Sequence, residues 1–497
     1  MAGPLAVVGN FTTVDQVMLA AAEQIGGREA FVEVATGRRL TFGQWVAAGR
    51  SLARQLHDFG VEPGDVVAVA LSPSIDYVIG CVAALFAGAV VSGINTRLGP
   101  REVAGIFDRC SPTAVIADAS FVVPGGHTPI VITPAEFELH GEPLLDAPLM
   151  QPADPAVIIW TSGTTGLPKG AWFDHRNLEA AVHSAGEMTH AFDRRLGGLP
   201  LAHAGYMAKI WEQFAMGFSI VLTPVPWTAQ MMLQVLTSER INVGAGVPTQ
   251  FVKLLELPET AGADFSALRV CLSATAPAAP ELIQRIRETL GAPVIVRYAM
   301  TESPSITGTD PDDPPEIQFR TVGRPQEGMT VRVVDDAGAP VAVGVVGRVQ
   351  ISGPCVMRGY WGDPAQTAAV LGEDGWLTSG DLGRFDADGN LSLVGRAGDM
   401  YIRGGYNVYP LEVENVLVEH PAIAAAAVIG RVAATIGEIG VAFLVPEPGH
   451  RTPTRDEVRT WVRERLADYK APDEVVVLDA LPLTPMAKVD KQALARR

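Results

Sequence analysis

The sequence predicts an α/β protein: a large N-terminal domain of helix-flanked β-sheets that includes a β-rich subdomain, followed by a small α+β C-terminal domain. Three observations carry that prediction. Over the first part of the chain, apolar runs of strand character alternate with segments of helical periodicity, which favours parallel sheets covered by helices. After Thr321, short strands separated by Asp- and Gly-bearing turns take over. From about Met400 a third texture of helices and strands fills roughly 100 residues, the size of an independent domain. A length of 497 residues accommodates about three units of ~150. The change of pattern puts a boundary near residue 399, unmarked by any Pro/Ser-rich linker, with the β-rich part over about 321–398.

Taken in order, Thr41 is placed to cap a helix whose apolar positions Trp45, Ala48, Leu52 and Leu56 recur at helical spacing. Residues 66–71 then read as a buried strand, 75–86 as a helix, 89–94 as a strand, 101–110 as a helix and 113–117 as a strand. In the β-rich part, 331–334 and 347–352 read as strands, with turns at Asp335-Asp336-Ala337-Gly338 and Asp386-Ala387-Asp388-Gly389-Asn390. In the last unit Pro410 opens a helix carrying Val413, Val416 and Leu417, and strands are expected at 423–429, 440–445 and 475–478. Thr454 and Glu457 form a capping box ahead of Val458, Trp461, Val462 and Leu466, and the chain ends in a polar, basic tail.

Composition narrows the function classes. Hydrophobic residues make up 48% and charged residues 19%, which supports a large core and excludes wholesale disorder. A formal charge of −17 argues against nucleic acid as a partner, since phosphate backbones need a basic face. Small phosphorylated ligands need only a local pocket of N–H groups and cations. The 4 cysteines, Cys81, Cys110, Cys271 and Cys355, form no CxxC pair, so reduced thiols are expected rather than a disulfide framework or a zinc site. The opening Met1-Ala2-Gly3-Pro4 lacks a basic-then-apolar leader, and the apolar run 77–91, broken by Gly80 and Gly88, is short of the about 20 residues a membrane span needs. A cytoplasmic protein with at most peripheral membrane contact is expected.

The chemistry-bearing signal follows the apolar run 156–160. Thr161-Ser162-Gly163-Thr164-Thr165-Gly166-Leu167-Pro168-Lys169-Gly170 combines hydroxyl donors, glycines and a lysine, the composition of a phosphate cradle. Glycines let backbone N–H groups turn toward an anion, and Lys169 adds mobile positive charge. It is not the P-loop pattern, because Lys169 lies three residues after Gly166 and is followed by Gly170. An ordinary Ser/Gly surface turn is the plain alternative.

This decapeptide closely resembles the signature loop of the adenylate-forming superfamily, on its acyl-CoA synthetase and fatty-acid–CoA ligase branch. Tyr298-Ala299-Met300-Thr301-Glu302 resembles the family's Tyr-Gly-x-Thr-Glu element, and Ser379-Gly380-Asp381 its Thr-Gly-Asp element. Gly395-Arg396-Ala397-Gly398-Asp399, running on through Gly404-Gly405 to Pro410 and Glu414, is similar to its hinge segment, and residues 482–491 to its C-terminal lysine motif. The match covers nearly the whole chain, in order.

The resemblance implies an enzyme that transfers AMP from ATP to a carboxylate and then hands the acyl group to the thiol of CoA. It implies Lys488 as the mobile cation at the carboxylate and α-phosphate, Thr165 in the phosphate loop, Glu302 as the Mg²⁺ ligand and Thr301 on the α-phosphate. Tyr298 would stack on adenine beside Ala274-Thr275-Ala276-Pro277, Asp381 would accept from the ribose hydroxyls, and Arg396 would assist at ribose or phosphate. Asp399 would be the hinge about which a mobile C-terminal domain, 399–497, turns against an N-terminal AMP-binding domain, 1–398, with Gly404 and Gly405 passing the pantetheine arm. His203 matches a pocket-wall or gate position, and Gly244-Ala245-Gly246-Val247-Pro248 a small, uncharged acyl wall to which Tyr206, Met207, Trp211 and Phe214 add apolar lining or, equally, ordinary core. Ala299, Ala274-Thr275 and Ala487 replace the family's glycines, adding atoms where ligand and backbone approach, which bears on affinity and pocket shape. No Asp lies between residues 199 and 218 to hold a substrate ammonium, which disfavours amino acids. An apolar acid, fatty or alicyclic, is expected; an aryl acid, a carrier-protein acceptor in place of CoA, and a catalytically silent nucleotide-binding protein are the alternatives.

Overall fold

A computed structural model describes residues 5–145, 148–161, 167–198, 200–224, 226–273, 280–403, 406–433, 437–484 and 489–497. Among these, the strands form four sheets. The first runs Gly359–Tyr360, Lys169–Asp174, Pro155–Thr161, Val90–Gly93, Val66–Ala70, Ala114–Ala117, Ile130–Ile132. From Pro155–Thr161 to Ile130–Ile132 its strands run parallel, while Lys169–Asp174 and Gly359–Tyr360 add on antiparallel at one edge. The second runs Arg324–Pro325, Ser303–Gly308, Val294–Met300, Val270–Ser273, Val243–Gly246, Arg194–Gly197, Ser219–Leu222, Glu29–Glu33, Arg38–Thr41. This sheet is parallel inside and antiparallel at both edges. A small antiparallel sheet, Thr330–Val334, Gly347–Ser352, Leu377–Phe385 and Leu391–Arg396, makes the β-rich part. The last sheet, built on the long hairpin Ile423–Ala433 and Gly437–Pro446, belongs to the C-terminal unit. Large and small α/β units with a β-rich insertion are the class the sequence predicts.

The helices form where the residues ask for them. Thr41 caps Phe42–Asp58 through a capping box with Gln44, and Ser74 accepts from the Tyr77 N–H to start Ile75–Phe86. Phe42–Asp58 buries Trp45, whose indole donates to the Val78 carbonyl at 3.0 Å and stacks on Phe214 with ring centroids 4.3 Å apart. Phe214 is therefore core and not acyl-pocket lining; Tyr206, Met207 and Trp211 pack in the same cluster. Buried residues from Tyr401 to Ala471 form their own cluster in the C-terminal unit, with a second on the other face of its sheet closed by Leu494. The polar, basic chain end is consequently docked onto this unit. Residues Lys491–Ala495 form a helix capped by Asp490, and Leu494 is fully buried. The strands expected at 423–429 and 440–445 extend to Ala433 and back to Gly437, because hairpin pairing continues past the apolar stretch. All four cysteines are free and buried. No helix among the described residues is long and apolar enough to cross a membrane.

Candidate active site

The phosphate-loop segment joins two antiparallel strands, Pro155–Thr161 and Lys169–Asp174, with Thr161 opposite Lys169. A strand rather than a helix follows it in the chain, unlike the strand–loop–helix order of a P-loop. Residues Ser162, Gly163, Thr164, Thr165 and Gly166 lie outside the described residues. Lys169 Nζ donates to Gln366 Oε1 at 2.7 Å and sits 5.2 Å from the centroid of the Tyr360 ring.

The second part of the site grows from the strand Val294–Met300. In the parallel sheet Gly246, Ser273 and Val296 are neighbours in register, so Gly246, Val247 and Tyr298 all lie at the carboxyl ends of strands, where open α/β sheets bind ligands. Val247 is the N-cap of Pro248–Leu255 and donates its N–H to Gln250. Residues Ala274, Thr275, Ala276 and Pro277, which continue the strand Val270–Ser273, lie outside the described residues.

Tyr298 is buried, and its hydroxyl donates to Asp381 Oδ2 at 2.5 Å. Burial, then the adjoining Asp381 carboxylate, push the Tyr298 phenol well above its ordinary pKa, so it stays a donor. Asp381 lies directly across the ladder from Arg396, whose Nε donates to Asp381 Oδ1 at 3.1 Å. Burial works against the Arg396 charge, but Asp381 outweighs it and raises the pKa. The Asp381 N–H is taken by Ser379 Oγ, which donates in turn to the Val349 carbonyl. Each Asp381 oxygen thus already holds one donor, and the carboxylate is fixed in orientation with its further acceptor capacity open.

Past Tyr298 the strand turns sharply, with Met300 opposite Ser303. Ala299 is exposed, and Met300, Thr301 and Glu302 are half-buried. Glu302 Oε1 accepts from the Tyr360 hydroxyl at 2.7 Å, and the Glu302 carbonyl accepts from Met357 N–H at 2.8 Å. Among the described residues no group of three or more His, Cys, Asp and Glu is placed to hold a metal alone.

His203 caps the short helix Ala204–Met207, its Nδ1 accepting from Gly205 N–H at 3.5 Å. The loop ahead of it approaches Gly93 so closely that a Cβ there would lie 2.8 Å from Tyr77 Oη and 3.1 Å from Ala202 Cα. Asp399 pairs with Lys491 Nζ at 3.4 Å, and that ammonium also meets Glu414 Oε1 at 2.9 Å. Gly404, Gly405 and Lys488 lie outside the described residues.

Two groups of sequence-expected residues therefore come together. Tyr298, Asp381 and Arg396 make one cluster; Lys169 and Glu302 meet on the two sides of Tyr360. Sequence reading missed Tyr360 and Gln366. Tyr360 stands in Gly359-Tyr360-Trp361-Gly362, an aromatic pair between glycines, but nothing local shows that its partners lie far away in the chain.

The AMP-binding enzyme family matches residues 19–361, and the AMP-binding enzyme C-terminal domain matches residues 412–488. Among relatives, a 3-[(3aS,4S,7aS)-7a-methyl-1,5-dioxo-octahydro-1H-inden-4-yl]propanoyl:CoA ligase of Rhodococcus jostii is 32% identical, with 97% of this chain and 98% of that protein covered. A feruloyl-CoA synthase of Amycolatopsis sp is 35% identical over 93% of this chain and 94% of its own length. Among solved structures, the o-succinylbenzoate CoA synthetase of Bacillus subtilis in complex with the acyl-adenylate intermediate superposes with a TM-score of 0.85 at 29% identity, covering 96% of this chain and 97% of that one. End-to-end relatives and a family match over both units carry the conclusion that this chain belongs to the AMP-binding enzymes of the adenylate-forming superfamily and is an AMP-forming acid–thiol ligase.

Proposed function

We propose that the chain activates an apolar carboxylic acid, medium- or long-chain fatty or alicyclic, in two half-reactions at one site. The carboxylate oxygen attacks the α-phosphorus of ATP, giving acyl-AMP and releasing pyrophosphate. The sulfur of CoA then attacks the acyl carbon, the thiol proton is lost, and AMP leaves. The alicyclic acid named for the Rhodococcus relative favours this substrate class, as do the small, uncharged Gly246 and Val247. The feruloyl relative favours a second reading, an aryl acid.

The observation that carries the reading is the strand Val294–Met300 with its following turn, which within five residues of chain offers Tyr298 to the Asp381–Arg396 pair and Glu302 to Tyr360, whose ring lies against Lys169. In this assignment Tyr298, Ala299, Met300 and Ala274 to Pro277 take the adenine side, Asp381 the ribose, and Arg396 the ribose or phosphate. Thr161 to Gly166 with Lys169 and Thr301 take the phosphates, with Thr165 close to the reaction and Lys488 the cation that stabilises charge gathering on the α-phosphate. His203 walls the acyl pocket, Gly404 and Gly405 pass the CoA arm, and the C-terminal domain, 399–497, turns about Asp399 between half-reactions.

Mg²⁺ fits Glu302. A hard divalent ion bound with a nucleotide takes one or two carboxylates and completes its shell with phosphate oxygens and water. Glu302 is one such carboxylate, with a single oxygen engaged by Tyr360. When bound, the ion supplies neutralisation of the phosphate charge.

The test is acid-dependent pyrophosphate release over a panel of fatty, alicyclic and aryl acids, with and without CoA. Release with apolar acids and thioester only with CoA is expected, and Lys488→Ala should lower adenylation by orders of magnitude while ATP binding survives. Silence with every acid, or unchanged turnover in that variant, overturns the reading.

A further inference from the structure

Tyr360 has no part in the roles just assigned, yet it touches two of their bearers. Its hydroxyl donates to Glu302 Oε1 at 2.7 Å, and its ring lies 5.2 Å from Lys169 Nζ, within cation–π range. The backbone around it is stitched to the same two segments. Tyr360 pairs with Ala171 in the strand that leaves the phosphate loop, and Trp361 N–H donates to the Gly170 carbonyl at 2.7 Å. Met357 N–H donates to the Glu302 carbonyl at 2.8 Å. The Tyr360 N–H is itself fixed by Thr367 Oγ1 at 2.8 Å, on the helix Pro364–Val370 whose Gln366 accepts from Lys169. Tyr360 as a whole is 6% exposed, so its ring is held in place by packing.

A carboxylate on a tight turn rotates freely about its terminal torsion unless something fixes it, and one donor on one oxygen fixes the plane while leaving the other oxygen available. A buried phenol whose backbone is fixed cannot follow a half-buried carboxylate that swings away. We propose that Tyr360 is a positioning residue for the metal–nucleotide complex: its hydroxyl aims the Glu302 carboxylate and its ring seats the Lys169 ammonium, so the metal-binding oxygen and the cation of the phosphate loop hold a fixed separation. This rests on the assignment of Glu302 to Mg²⁺ above.

The two functions of the side chain separate by substitution. Tyr360→Phe keeps the ring and removes the hydroxyl; Tyr360→Leu removes both. ATP binding is measured by titration calorimetry in EDTA and again over a Mg²⁺ series, beside the Mg²⁺ dependence of pyrophosphate release. For Tyr360→Phe the affinity in EDTA should match wild type, and the melting temperature should fall by no more than about 2–4 °C. The gain in affinity on adding Mg²⁺ should fall about tenfold to hundredfold, the scale of one lost hydrogen bond to a charged acceptor. Tyr360→Leu should in addition weaken binding in EDTA. Glu302→Gln serves as the control: if it leaves the Mg²⁺ gain intact, the metal assignment itself falls and the proposal with it. If Glu302→Gln abolishes the gain while Tyr360→Phe leaves it at the wild-type value, Tyr360 is structural and only this proposal is overturned.

Discussion

At the scale of single residues, the molecule repeatedly uses one buried group to fix the orientation of another. Asp381 is held by Tyr298 and Arg396, Glu302 by Tyr360, and the same logic operates far from the site at His175. This imidazole is 1% exposed, and its Nδ1 accepts from Val14 N–H at 3.2 Å, satisfying a donor at the start of the helix Val14–Ile25. Burial holds its pKa below the ordinary imidazole value, against the pull of Asp15, Asp154 and Asp174. Protonation at Nδ1 would set two donors against each other. Because the folded-state pKa is depressed, the stability it contributes is present above the unfolded value, about 6.5, and is lost as pH falls toward the folded one. Unfolding by urea across pH 4.5–7.5 should show wild type losing up to about 1.4 kcal/mol per pH unit in that window through this group. His175→Asn, which keeps an acceptor that does not titrate, should flatten that part of the curve. Parallel curves for the two proteins would show that His175 is not the titrating group.

At the scale of elements, strand ends and their loops decide the site. The strand Val90–Gly93 ends against the loop that leads to His203, with no space for a side chain at its last position. Gly93→Ala would drive a Cβ to 2.8 Å from Tyr77 Oη, 3.1 Å from Ala202 Cα and 3.2 Å from Met207 Sδ. The loop backbone must retreat, which should cost about 1–3 kcal/mol of stability. Because His203 is carried on that loop, KM for the acid should rise more than KM for ATP. Equal changes in both, measured by steady-state kinetics, would detach the loop from the acyl pocket.

The whole molecule is organised around separate hydrophobic cores. The clusters of the C-terminal unit draw their buried residues from Tyr401 onward, while those of the N-terminal units end at Leu391. We propose that the boundary falls at 398/399 and that each part folds by itself. A chain of residues 1–398 should unfold cooperatively, bind ATP within about threefold of the full protein, since only the cation on Lys488 and its surroundings are missing, and release no pyrophosphate. Aggregation or a broad, non-cooperative transition would show that the two cores depend on each other.

Much of this was legible in the amino-acid order because local rules wrote it. Thr41, Ser74, Pro410 and Thr454 start helices through capping and fixed φ, which involve only residues three or four apart. Buried parallel strands announce themselves as apolar runs, and the phosphate-loop composition is contiguous. The motifs that carry Tyr298, Asp381 and Glu302 are local as well. Tertiary structure alone decided what those motifs meet. Tyr360 reaches Glu302 across 58 positions and Lys169 reaches Gln366 across 197. It assigned Phe214 to the core, through a stack on Trp45 that no periodicity reveals. It also folded the basic chain end into a helix whose Lys491 grips Asp399 and Glu414. Local hydrogen bonds and hydrophobic patterning depend on neighbours in sequence, whereas the orientation of a buried carboxylate depends on whichever donor the packed sheets bring beside it.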